Sequence, residues 1–206
     1  DVEAPLLEPA TVAVHGVRRS GVKPGDTVAV IGCGTVGLLT LQAFKAAGVR
    51  VIAIDVRELS LELATQLGAD EVVNSRDEQA AASRILELTK GIGPDIVIET
   101  AGAKETPRMA IEWTRRGGTV LLIGIYSTKP EIDFNSIVGT EKTVIGSVAT
   151  SPGDLEAAVE LVAGGKINVK PLISEVVPLS RAIEDGFNRM LDPNKKVFRI
   201  VIQPGL

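Results

Sequence analysis

The sequence predicts an α/β protein built on a doubly wound, parallel, six-stranded sheet, and three observations carry that expectation. Short apolar runs rich in β-branched residues, at 28–31, 49–54 and 96–98 among others, alternate with stretches whose apolar residues recur at helical spacing. These runs are nearly continuous in apolar character, as in parallel strands covered on both faces. The first of them stops at a glycine-rich turn, GCGTVG, from which a helix departs.

That turn organises the rest of the chain. Val28, Val30 and Ile31 read as a strand, and Val36, Leu38, Leu39, Leu41 and Phe44 then fall on one helical face. Gly32, Gly34 and Gly37 fill the three places of G-x-G-x-x-G. There the missing Cβ allows a sharp turn, a close approach of a pyrophosphate to backbone N–H groups, and tight packing of helix on strand. The phosphates would sit on the helix N-terminus, whose unpaired N–H groups and dipole favour an anion. Glycine turns of this kind also arise for packing alone, so the sequel matters. The next strand, 49–54, ends in Asp55, at the offset of about 20 residues where a carboxylate meets the ribose hydroxyls of a dinucleotide.

The remaining elements follow in order. Before the turn, Thr11, Val14, Val17 and Arg18 share a helical face after Pro9, and Lys23–Asp26 turns into the first strand. The opening without methionine suggests a chain preceded by something else. After Asp55 we expect a helix from about Ser60 to Leu67, a strand 71–74, a polar helix from about Asp77 to Lys90, a strand 96–98, a helix around Glu105 to Trp113, and a buried strand in 117–125. A last sheet strand lies in 141–149. A helix follows, capped by Ser151 or Asp154 and ended by Gly164 and Gly165. Pro171 and Pro178 bracket an extended piece, Ser180 begins a helix, and 197–202 closes as a strand.

Composition bounds the function. A chain of 206 residues with 45% hydrophobic content can bury a full core. The net charge of −4, with no basic cluster, argues against nucleic acid or an anionic membrane as partner. One cysteine rules out an internal disulfide and fits a cytoplasmic setting, and no apolar run has membrane-spanning length. One cysteine and one histidine cannot make a zinc site, which takes three or four ligands at defined spacing, so no metal site is expected here. His15, among Val12, Val14 and Val17, reads as packed or half-exposed rather than catalytic. Cys33 reads as a small residue suited to the turn, and Met109 with Trp113 as core or interface.

Several separated segments, taken together, resemble one family. They are 6–48, LGADEVVNS, DIVIETAG, GGTVLLIGI and the stretch 166–187. In this order they look like the C-terminal half of zinc-dependent medium-chain alcohol dehydrogenases, near the sorbitol and butanediol dehydrogenase branch. The resemblance implies a Rossmann domain at 25–170, the end of a catalytic domain at 1–24, and a C-terminal segment, 171–206, that packs on that domain. It implies NAD as cofactor, with zinc supplied by an N-terminal domain outside this chain, so that this fragment alone would be inactive. It also implies a homodimer, or a tetramer, paired through the edge strand 143–149.

Site residues carry over from the resemblance one by one. Gly32, Gly34, Thr35, Val36 and Gly37 match the pyrophosphate turn, and Asp55 matches the ribose acid of NAD-dependent members. Thr100, Ala101 and Gly102, with Ile123, Gly124 and Ile125, match the strand ends beside nicotinamide, and Ser147 and Val148 a later segment near the same ring. Glu8 matches a glutamate that approaches the catalytic zinc, the alternative being a solvated charge. Where the family often carries Arg or Lys beside the adenine, this chain has Ser60. Arg57 takes over that task or is a solvated surface arginine. Two further readings stay open: a stand-alone dinucleotide-binding module, and a zinc-free quinone reductase, against which Asp55 counts.

Overall fold

The computed structural model describes residues 2–192 and 196–205. Six strands form one parallel sheet: β1 Thr27–Ile31, β2 Arg50–Asp55, β3 Glu71–Asn74, β4 Ile96–Glu99, β5 Thr119–Leu122 and β6 Thr143–Gly146. Their spatial order is β3-β2-β1-β4-β5-β6, with Val30 of β1 opposite Ala53 of β2 and Ile98 of β4. The chain runs outward from β1 through β2 to β3, then crosses back to β4 and continues to the other edge. A crevice therefore opens beyond the carboxyl ends of β1 and β4, where the order reverses.

The near-continuous apolar runs are explained by helices on both faces. One face, with Val28, Val30, Val51, Ala53, Ile96, Ile98 and Leu121, packs under helix α2, Thr35–Ala46, and helix α3, Glu58–Gln66. The other, with Ala29, Ile31, Ile52, Ile54, Val97 and Val120, packs under helix α4, Glu78–Leu88, and helix α5, Thr106–Trp113. Met109 and Trp113 belong to this second layer. Asp77 caps α4 by accepting the Ala80 N–H at 3.0 Å. The buried run at 117–125 is strand only to Leu122, because Ile123 and Gly124 both donate to the single carbonyl of Glu99 and turn the chain out of the ladder. The edge strand likewise stops at Gly146, short of 149.

Helix α1, Leu7–Ser20, begins before Pro9, as a continuation of a 3-10 turn at Ala4–Leu6. Pro9 is tolerated in the first turn, where its absent N–H has no intrahelical acceptor. Leu6, Ala10, Ala13 and Val14 enter the same core as the sheet. Two short helices complete this part, α6 Asn135–Val138 and α7 Asp154–Ala163. The C-terminal stretch forms β7 Ile173–Pro178 and β8 Arg199–Gln203, a separate two-stranded parallel sheet. Between them the expected helix from Ser180 is broken: a 3-10 turn Leu179–Arg181, a wide π-type winding Ala182–Phe187, and one α turn, α8, Asn188–Leu191. Leu179, Ile183, Phe187 and Leu191 on its outer side are exposed, so no packing on that side enforces a uniform winding. Among the described residues no helix is long and apolar enough to cross a membrane.

The cap of α7 differs from both residues the sequence offered. Gly153, at φ +82°, holds the cap position. Asp154 instead turns its fully buried carboxylate onto the Ser151 N–H at 2.6 Å, His15 Nδ1 at 2.8 Å, and Arg18. His15 is thus a packed residue that ties α1 to α7. Burial pushes the Asp154 carboxyl up, but the Ser151 N–H, His15 and Arg18 outweigh it and hold it below the usual carboxylate range. A folded-state value below the unfolded one contributes stability above about pH 4 and loses it as pH falls through the folded value. Asp154→Asn is expected to cost about 3 kcal/mol at pH 7, the scale of a broken buried ion pair. The urea midpoints of the two proteins should draw together as pH falls below about 5, and a gap that stays constant down to the acid limit of folding contradicts this role.

Candidate functional site

The three glycines of the first turn perform three different tasks. Gly32 follows β1 at φ +93° and donates to the Ile54 carbonyl at 2.8 Å. A Cβ there would lie 2.7 Å from the Ala101 nitrogen, so its absence lets the turn close on the end of β4. At Gly37, in the first turn of α2, a Cβ would stand 1.8 Å from the Gly32 oxygen and 2.7 Å from Thr100 Oγ1. Gly34 is the opposite case: it has an ordinary φ of −78°, and nothing lies within 4 Å of its missing Cβ. As the N-cap of α2 it brings no side chain to the first-turn N–H groups, which include those of Thr35 and Val36. The positive end of a 12-residue helix therefore faces open space.

Asp55 stands at the end of β2 beside this opening, with 9% of its surface accessible. Its two oxygens accept the Cys33 N–H at 2.7 Å and the Arg57 N–H at 2.8 Å, and each retains a lone pair for another donor. Arg57 is not a freely solvated arginine. Its Nε lies 3.6 Å from Asp55 and its guanidinium sits 5.7 Å from the centre of the Phe198 ring. Phe198 in turn accepts Thr35 Oγ1 at 3.3 Å through its carbonyl, which brings the C-terminal stretch onto the glycine turn. Ser60 is fully buried on the inner side of α3 and cannot replace a surface cation. Burial, then the charge of Asp55, pushes the Cys33 thiol well up, so it stays protonated and inert.

Across the crevice, the ends of β4 and β5 are knotted together. Thr100 Oγ1 donates to the Gly32 carbonyl at 2.6 Å, and Ala101 covers Gly32. Gly102 (φ +66°) and Gly124 lie against one another: a Cβ on Gly124 would be 2.7 Å from the Gly102 nitrogen. Between them sits Glu99, which sequence reasoning passed over. Its carboxylate is fully buried and accepts Ala101 N–H, Gly102 N–H and Thr106 Oγ1, each at 2.8 Å, together with the Tyr126 hydroxyl. The available signal was an acid closing an otherwise apolar strand, IVIE, with the sole tyrosine just after the next strand. Ile125 and Val148 are 89% and 77% exposed at this end, whereas Ser147 is buried and its hydroxyl has no partner among the described residues.

Not every sequence candidate joins this cluster. Glu8 is exposed in the first turn of α1, about 12 Å along the helix from Gly16, whose missing Cβ lets α1 approach Ile123. Among the described residues no group of three or more His, Cys, Asp or Glu is placed to hold a metal ion.

The fold and the site together define a dinucleotide-type crevice at a topological switch point. Residues 35–164 match the family described as zinc-binding dehydrogenase, and the chain belongs to it. It is 31% identical to the sorbitol dehydrogenase of Bacillus subtilis, over 98% of this chain and 57% of that protein. Among solved structures, 2R,3R-butanediol dehydrogenase from Bacillus subtilis superimposes with a TM-score of 0.88 at 32% identity, covering 97% of this chain and 56% of the other. A putative zinc-binding dehydrogenase from Sinorhizobium meliloti, bound to NADP, gives a TM-score of 0.85 at 30% identity, over 98% and 59%. The chain thus spans little more than half the length of the relatives it matches.

The glycine geometry separates packing from binding. Gly32→Ala and Gly37→Ala are expected to lose at least about 2 kcal/mol of unfolding free energy, since backbone atoms, not flexible side-chain ends, stand in the way. Gly34→Ala should stay within about 1 kcal/mol of the parent, a Gly-to-Ala exchange at a cap with room for the methyl. Chemical denaturation of the three variants checks this, and equal losses at all three would contradict it.

Proposed function

We propose that this chain is the dinucleotide-holding part of an NAD-dependent oxidoreductase acting on a secondary alcohol or polyol, with zinc held by a segment outside it. One observation carries the reading: the side-chain-free N-terminus of α2 opens beside the Asp55 carboxylate, one suited to a pyrophosphate and the other to a ribose diol. When bound, the nicotinamide takes or gives hydride while zinc polarises the alcohol oxygen. The chain's own residues bind and orient. Backbone N–H groups at Gly34, Thr35, Val36 and Gly37 receive the phosphates, with Gly32 shaping the turn, and Asp55 accepts the ribose hydroxyls. Arg57 flanks the adenine side. Thr100, Ala101, Gly102, Ile123, Gly124, Ile125, Ser147 and Val148 form the bed for the other half of the cofactor. Glu8, exposed on the first turn of α1, would approach the zinc of the whole enzyme.

The exposed apolar stripe Leu179, Ile183, Phe187 and Leu191 supports the assignment of 171–206 to a surface covered by a catalytic domain, together with 1–24. The open edge at β6, where Val144 is partly exposed, supports a two-fold dimer with a continuous sheet. Sedimentation at micromolar concentration should show that dimer and its loss in Val144→Lys; a monomer throughout removes the proposal.

Asp55 should make the site prefer NAD. Its carboxylate gains charge-assisted hydrogen bonds from the 2′- and 3′-hydroxyls, whereas a 2′-phosphate brings like charge and removes a donor. We expect NAD to bind at least about tenfold more tightly than NADP, equivalent to roughly 1.4 kcal/mol, with the preference lost in Asp55→Ala. Calorimetric titration reads both, and equal affinities in the parent chain count against the assignment.

The chain alone should bind NAD without oxidising alcohols. A single carboxylate at Glu8 cannot replace a Lewis acid that stabilises alkoxide charge by several kcal/mol. NADH formation with sorbitol, butanediol and simple secondary alcohols, with and without added zinc, tests this. Turnover in the usual enzyme range, roughly 1–1000 per second, would mean the catalytic groups lie within this chain.

A further inference from the structure

Glu99 is a fully buried carboxylate that, among the described residues, has no lysine, arginine or histidine within ion-pair distance. A charge placed in this way is costly unless hydrogen bonds or an external cation offset it. Two backbone amides and Thr106 donate to Oε1 and Tyr126 donates to Oε2, four hydrogen bonds that leave its net charge uncancelled. Burial and the Glu99 carboxylate together push the Tyr126 phenol well above its ordinary value, so the phenol remains a donor.

The position of this charge gives it a direction of action. If the adenosine ribose lies at Asp55 on the β2 side and the phosphates at α2, the rest of a dinucleotide must cross the switch point toward the ends of β4 and β5. Those ends are the two loops that Glu99 holds: its main-chain oxygen takes Ile123 N–H at 2.8 Å and Gly124 N–H at 3.0 Å, and its side chain takes Ala101 and Gly102. The oxidised nicotinamide carries a positive charge, and the reduced one is neutral. A buried, uncancelled negative charge beneath that ring favours the cation.

We propose that Glu99 is a positioning residue of the cofactor bed, and that its carboxylate selects the oxidised, cationic nicotinamide over the reduced form. This rests on the dinucleotide reading above. Glu99→Gln keeps Oε1 as acceptor for Ala101, Gly102 and Thr106 and lets the Tyr126 hydroxyl turn round to accept from the amide, so shape survives while charge is removed. Glu99→Ala removes both.

The parent chain and the two variants are titrated with NAD, NADH and ADP-ribose, which lacks the nicotinamide. ADP-ribose affinity should agree within about twofold between the parent chain and Glu99→Gln. In Glu99→Gln the ratio of NAD to NADH affinity should fall about threefold or more, a floor set by one charge acting across about 6 Å even at the dielectric of bulk water. Glu99→Ala should weaken NADH by about tenfold beyond any change in ADP-ribose binding, since the Ala101 and Gly102 N–H groups lose their acceptor, and NAD by about a further threefold or more, since the charge goes as well. A purely structural glutamate would leave the NAD to NADH ratio of Glu99→Gln unchanged, and that result overturns the proposal. Nicotinamide affinity unaltered in Glu99→Ala overturns it as well. Failure of ADP-ribose to bind the parent chain would instead bring down the dinucleotide reading, and this inference with it.

Discussion

The constraint on which the rest depends is the contact of backbone with backbone at the end of β1. Gly32 touches Ala101 of the strand on one side and the Gly37 turn of α2 on the other, with no side chain between. The end of β4 and the first turn of α2 are thereby both closed onto a single peptide. The opening in front of Gly34 is what remains when everything around it has closed. That opening is a by-product of tight packing at Gly32 and Gly37.

The sheet was largely legible in the sequence because its signal is local and redundant. Each strand is a short β-branched run, and each is separated from the next by a stretch of helical period and a turn. Asp55 was legible for the same reason, as an acid closing a strand at a fixed distance from the glycines. What escaped was what side chains do after long-range packing. Asp154 reads locally as a cap, but the chain places His15 and Arg18 of a distant helix against it, and their pull turns the carboxylate inward. The segment from Ser180 carries a good helical pattern, but without a cover for its apolar side the winding departs from it.

Glu99 illustrates a different blind spot. Sequence patterns distinguish apolar from polar and mark glycines, so an acid at a strand end reads as the border of the core. In the folded chain that border is interior, because the loops after β4 and β5 fold over it and donate to it. The same carboxylate that would be an ordinary strand end on the surface becomes the common anchor of two loops. Arg57 shows the converse, a residue that reads as solvated and is held by an aromatic ring 141 positions further along the chain.

The hydrogen bond from Thr35 to the Phe198 carbonyl, and the stacking of Arg57 on its ring, make residues 171–206 part of the wall around the glycine turn. Dissecting the chain at 170 to obtain a minimal nucleotide module would therefore not give a neutral cut. It would strip Arg57 of its ring, leave that guanidinium to its ion pair with Asp55, and uncover core side chains against which the partly buried Phe198 packs. The same linkage works in the other direction: whatever displaces the tail also takes a hydrogen bond from the first turn of α2.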